Sequence, residues 1–230
     1  MSVSIPRPPR SEIVYPDSDG KPMAENTLQF RWIVTIKEGL ERAFSDRPDV
    51  FVAGDLFWYP VEGNPEICTA PDALVVFGRP KGDRGSYKQW EEEDIAPQVV
   101  FEVRSPSNRF GELYRKLKFY EEFGVDEYYL YDPDQDVLEG WQRGDDELRE
   151  IPVMNGWASP RLGIRFDSSG SELKIFGPDG RPFLTYQEMA QERDRIAQER
   201  DQIAHERDAE RQRTERMAAQ LRAMGIEPAE

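Results

Sequence analysis

Glu102 and Arg104 stand two residues apart in "PQVVFEVRS", whose other residues read as a buried strand. Residues i and i+2 of a strand share a face, so carboxylate and guanidinium project together, where the sheet end opens to solvent. Asp72, in "PDALVVF", begins another apolar strand just after a turn-forming proline. If the two strands are neighbours, Asp72 and Glu102 could share one divalent cation. Magnesium suits such a pair, because it prefers carboxylate oxygens and keeps several waters. Bound this way it lowers the pKa of a water and stabilises charge on a phosphodiester. A nearby Lys or Arg can orient the nucleophile or neutralise the developing charge. Each motif alone has an ordinary explanation, since Pro-Asp is a common turn and E-x-R is often a surface ion pair. Together, with a lysine-bearing helix directly after, they are more specific.

The composition narrows the chemistry further. The chain of 230 residues has one histidine, His205, and one cysteine, Cys68. No intrachain disulfide and no thiolate zinc site can form, and Ser-His-Asp or histidine–metal catalysis is improbable. Chemistry must rest on carboxylates, Lys, Arg or Tyr. The net charge of −15 argues against broad, nonspecific nucleic-acid binding. The N-terminal "MSVSIPRPPRSEIVYP" lacks an apolar core, so no secretory signal is expected. No apolar run approaches the ~20 residues that span a bilayer. A soluble, cytoplasmic protein without membrane partners is the expectation.

The elements that must position these residues can be read in order. Residues 1–21 form an extended, proline-rich arm. Leu28, Trp32, Ile36 and Leu40 recur at helical spacing, with Asn26 or Thr27 as cap. "DVFVAGDLFWYP" reads as one strand ending at Pro60, Ala73 to Phe77 as a second, and Gln98 to Arg104 as a third. "SPSNR" then introduces a helix carrying Leu113, Leu117 and Tyr120, which Gly124 stops. "VDEYYLYDP" is a fourth strand and "VLEGWQRG" hairpins onto it. The helix between the third and fourth strands permits a parallel crossover, so the fold class is α/β with a mixed sheet. From Leu148 to Phe183 a small antiparallel extension follows. From Gln187, "QERDRIA/QERDQIA/HERDAER" repeats every seven residues. Ile196 and Ile203 share one heptad position with Met189, Met217 and Met224. The second seam position is polar, so both a weak dimeric coiled coil and a solvated single helix fit the repeat.

The stretches "PDALVVF", "PQVVFEVRSPSNR" and "KLKFYEEFGVDEYYLYDP" together resemble the Uma-type restriction endonuclease family, a branch of the PD-(D/E)XK nuclease superfamily. The resemblance covers roughly residues 26–166. It implies a restriction-endonuclease-like core, a mixed four-stranded sheet flanked by helices, spanning 22–186. The antiparallel extension would complete that domain, and 187–230 would be a separate charged helix. It also implies an endonuclease hydrolysing DNA with Mg²⁺ or Mn²⁺, while the heptad-spaced Ile196 and Ile203 of the tail point to a homodimer. By position, Asp72 and Glu102 match the family's metal ligands. Arg104 stands where the superfamily has lysine, and Lys116, four residues before Tyr120, matches the place to which this family moves that function. Arg stays protonated and cannot readily act as a base. Glu25 could add a further acid, although helix capping is the commoner role. Asp55 could line the same cleft. Trp58, Tyr59 and Trp90 could stack on bases, but buried aromatics are far commoner. Lys118 reads as a solvated helix face and His205 as a tail residue. The rival reading is a catalytically weak or silent nuclease fold acting as a binding or regulatory module, which the acidic balance and Arg104 favour.

Overall fold

The computed structural model describes residues 13–18, 20, 22–107 and 110–223. It divides into two units, one through Phe183 and one from Leu184. The expected arm over 1–21 lies largely outside the described residues, as do Asn108, Arg109 and Met224 of the sequence reading.

In the first unit, helix α1 (Thr27–Ala43) is followed by strands β1 (Val50–Ala53), β2 (Trp58–Tyr59), β3 (Ala73–Phe77), β4 (Tyr87–Lys88) and β5 (Val99–Val103). Helix α2 (Phe110–Glu122) leads to β6 (Glu127–Asp132), β7 (Val137–Gly144), β8 (Glu147–Glu150), β9 (Arg165–Asp167) and β10 (Lys174–Phe176). The main sheet has six strands in the order β1-β3-β5-β6-β7-β8. Only β5 and β6 run parallel, and α2 makes their crossover. The architecture is mixed α/β, and the expected four strands are its β1, β3, β5 and β6.

Alternation along the strands builds two apolar layers. Ala73, Val75, Val99, Phe101, Tyr129 and Tyr131 face α1, which buries Trp32, Ile33, Ile36 and Leu40 against them. Leu74, Val76, Val100, Tyr128 and Leu130 face α2, whose Leu113, Leu117 and Tyr120 cover them. The cap of α1 is Asn26, which accepts from the Gln29 N–H at 2.8 Å. Gly39 is needed for close approach: a Cβ there would lie 2.1 Å from the Phe183 ring. Gly124, at φ +88°, ends α2 in the left-handed region that glycine enters without penalty.

Two expectations are corrected. "DVFVAGDLFWYP" forms two strands, because Asp55 takes φ +48° and turns the chain between them. β2 then leaves the main sheet and pairs in parallel with β4. Leu148 belongs to β8, the sixth strand of the main sheet, and not to the extension, which reduces to the β9–β10 hairpin. That hairpin turns Phe166 and Ile175 onto the α1-side core. Buried Glu127 on β6 ties this region down, accepting from Ser159 Oγ, the Arg161 N–H (2.9 Å) and Tyr129 OH (3.0 Å).

In the second unit, helix α3 (Tyr186–Ala223) begins with a capping box. The Thr185 N–H donates to Glu188 Oε2 at 2.8 Å and the Glu188 N–H to Thr185 Oγ1 at 3.3 Å. Ion pairs one turn apart, Arg195 with Glu192 and Glu199 and Arg211 with Glu215, support it at a few tenths of a kcal/mol each, about 0.2–0.5. Ile196, Ile203 and Met217 are all more than half exposed. Among the described residues no helix is long and apolar enough to cross a membrane.

Candidate active site

Asp72 and Glu102 meet because of register. β3 and β5 are antiparallel with Ala73 opposite Phe101 and Leu74 opposite Val100, so the next step outward sets Asp72 opposite Glu102. Both fall on the α2 face, one row beyond Leu74 and Val100. The pairing is fixed at its end by the Val103 N–H, which donates to Asp72 Oδ2 at 2.6 Å. Glu102 is only 4% exposed. Its Oε2 accepts from Lys116 Nζ at 2.7 Å and its Oε1 from Tyr120 OH. Lys116 and Tyr120 are four residues apart on α2, hence one above the other on a single face.

The electrostatics follow from this crowding. Burial first, and the facing Glu102 carboxylate second, push Asp72 well above the usual carboxylate range, against the pull of Lys116 and the Val103 N–H. Burial alone would depress the Lys116 ammonium, but Glu102 and Asp72 outweigh it and hold it above the ordinary lysine value. Lys116 is therefore a cation and a donor, not a ready base. Burial and Glu102 likewise keep the Tyr120 phenol protonated.

Arg104 lies apart from this group. It shares the face, but its guanidinium donates to Asp132 Oδ2 at 3.1 Å and is 38% exposed. Asp132 Oδ1 meanwhile accepts the Asp134 and Gln135 N–H groups of the β6–β7 turn. Glu25 also stays out of the carboxylate pair: it accepts from Ser107 Oγ, which, with Ser105, lowers its pKa. Asp55 does border the site, lining with Lys116, Glu112 and Thr69 a polar cleft of about 350 Å³. Trp58 and Tyr59 are buried in the core and Trp90 packs on Tyr15. Lys118 pairs with Glu121 on an exposed helix face and His205 is exposed on α3.

Two supporting residues escaped the sequence reading. Tyr120 figured there as a helix-face residue and as the marker four places after Lys116, but not as a partner of Glu102. Gln29, buried on α1, donates from Nε2 to the Val103 carbonyl at 2.9 Å, holding the strand between Glu102 and Arg104. Nothing local to Gln29 indicated a contact 74 residues away.

The donor set suits a hard divalent ion that keeps much of its water. Two carboxylates converge, one of them strained by the other's charge, and a dication between them relieves that repulsion. Among the described residues no cluster of three or more His, Cys, Asp or Glu side chains is placed to hold a metal, so the remaining ligands would come from water or substrate.

Comparison with known proteins supplies the family. The model of the Uma2 family, described as "Putative restriction endonuclease", matches residues 18–194, well over half of the chain. The chain belongs to the Uma2 family, a family of nucleases. Among solved structures, one that resembles it is "a putative nuclease belonging to DUF820" from Anabaena variabilis, at 15% identity and a TM-score of 0.45, covering 61% of this chain and 74% of that one. No curated protein matches.

Proposed function

We propose that this chain is an endonuclease that hydrolyses DNA phosphodiester bonds with Mg²⁺ or Mn²⁺ held by Asp72 and Glu102. The observation that carries the reading is the register that sets those two carboxylates face to face, with the Lys116 ammonium 2.7 Å from Glu102. The ion, when bound, supplies a more acidic water and neutralises charge on the phosphate. Tyr120 and Lys116 fix the Glu102 carboxylate from its two oxygens, so the ligand is pre-set. Lys116, held protonated, presents positive charge where charge builds on the phosphoryl oxygens. Arg104, anchored by Asp132, is a second cation at the margin of the site, suited to a phosphate and not to proton transfer.

Cleavage of supercoiled, linear and single-stranded DNA in Mg²⁺, Mn²⁺ or Ca²⁺, with Asp72→Ala as control, tests this. Activity absent on every DNA with every ion would leave the silent-fold reading in its place, and activity equal in Asp72→Ala and wild type would put the chemistry elsewhere. Ion binding is checked separately by melting. At ten times its Kd, Mg²⁺ should add about 1.4 kcal/mol, a rise in Tm of roughly 3–6 °C. Asp72→Asn should remove that rise.

We also propose that α3 pairs weakly with a second copy of itself through Ile196, Ile203 and Met217, giving a homodimer. Deleting the chain from Gln191 onward should leave the melting of the first unit unchanged within about 2 °C, because exposed residues contribute little to stability. Sedimentation should show the truncated protein as a monomer. An unchanged oligomeric state would make the repeat a solvated helix.

A further inference from the structure

A second cavity lies beside the carboxylate pair, on the far side from the polar cleft. It occupies about 320 Å³ between α2 and the sheet, walled by Leu113 and Leu117 above and by Leu130 and Trp141 below, with Arg104 and Glu139 at its edge. Cross-strand register explains its position. Asp72, Glu102, Leu130 and Glu139 form one row across β3, β5, β6 and β7. Strands are about 4.8 Å apart, so Glu139 is two spacings, about 10 Å, from Glu102.

Tyr128, 1% exposed, also lines the cavity. The Tyr128 ring stacks on Trp141, with centroids 5.0 Å apart at 17°, so the cavity has an aromatic wall. Arg104 donates to Asp132 and has five N–H donors in all. Glu139 is exposed and makes no ion pair among the described residues. Apolar faces for stacking, with a donor fork and an acceptor at the edges, match a flat heterocycle carrying both donors and acceptors.

We infer that this cavity binds one nucleobase of the substrate strand, unstacked from its neighbours, next to the phosphate held at Asp72 and Glu102. The inference rests on the nucleic-acid reading above and adds a subsite to it. Only strands from which a base can be withdrawn would then be good substrates, favouring single-stranded, mismatched or easily unstacked positions.

The test follows the Trp141 indole N–H resonance, assigned through Trp141→Phe, in ¹⁵N-labelled full-length protein without metal. The four deoxynucleosides and 2-deoxyribose are titrated in turn. Stacking on one aromatic wall is worth about 5- to 150-fold in affinity, so at least one nucleoside should move the resonance saturably and bind at least fivefold tighter than the sugar. Leu117→Trp, which fills the cavity, should remove that margin. Glu139→Ala, at an exposed position of the cavity edge, should leave the Tm unchanged while reducing the margin of the best-bound nucleoside several-fold. Nucleosides no better than 2-deoxyribose, or a folded Leu117→Trp protein with the full margin, would overturn the subsite. Metal-dependent cleavage with no base margin would remove the subsite alone. A base margin without cleavage on any DNA would remove the nuclease reading and keep the subsite.

Discussion

A Glu102→Gln protein is expected to fold and to cleave DNA at least about a thousandfold more slowly than the wild type. The side chain keeps its shape, so the apolar layer around Val100 and Leu130 is undisturbed, while the charge that would hold a divalent ion is gone. At 4 Å and an effective dielectric near 20, one unit charge against another is worth about 4 kcal/mol, and the ion carries two. Four kcal/mol is roughly a thousandfold in rate. In the free protein two effects oppose each other. Lys116 and Tyr120 donate to different carboxylate oxygens, and an amide keeps only one acceptor, so the Lys116 bond weakens and the Tyr120 hydroxyl must turn to accept from the amide NH₂, a loss of about 1–3 kcal/mol. Asp72, however, loses the anion that adds to burial in raising its pKa, and Lys116 keeps Asp72 as a counter-charge. The net loss of stability should stay under about 2 kcal/mol. Single-turnover cleavage and thermal melting measure the two quantities independently. Wild-type cleavage by a folded Glu102→Gln protein would show that the ion, or the chemistry, is elsewhere.

The parts of this fold that could be read from sequence are those set by local periodicity. Ala73–Phe77 was legible to the residue because its flanks are a proline turn and a glycine. α1 and α2 were legible because their apolar positions recur every three or four residues, and Gly124 marks an end that needs positive φ. That Glu102 and Arg104 share a face followed from the strand period alone. What they touch did not. Glu102 meets Lys116 and Tyr120 because α2 crosses over β5, whereas Arg104 meets Asp132 because β6 lies beside β5 in parallel register. The same face thus carries two ion pairs of different character, and only the sheet order distinguishes them. β2 was misread for a related reason. The apolar run continues through Gly54 and Asp55, and the backbone turn at Asp55 has no apolar signature. β8 was misplaced because a four-residue strand with one buried side chain, Leu148, has too little alternation to declare its partner.

Lys116→Met should separate metal binding from catalysis. In the free protein the ammonium is the cation that two crowded carboxylates share, so its removal leaves them facing each other. One would take up a proton, and the free protein should melt lower, since breaking a buried ion pair from one side is costly. An ammonium this close to the carboxylates also repels a dication. Its loss should tighten Mg²⁺ binding, by about tenfold if roughly 1.4 kcal/mol of repulsion is relieved, and so enlarge the rise in Tm that Mg²⁺ produces. Cleavage should move the other way, falling about 100- to 1000-fold as a fixed positive charge is withdrawn from the developing phosphoryl charge. Lys116→Arg, which keeps the charge but replaces a compact ammonium by a planar fork, should recover the weaker metal binding and only part of the rate. Tighter binding with slower cleavage is the signature of a residue that acts on the substrate's charge. If metal affinity and cleavage fall together in Lys116→Met, the lysine maintains the shape of the carboxylate pair, and the positive charge used in hydrolysis must come from Arg104 or from the ion alone.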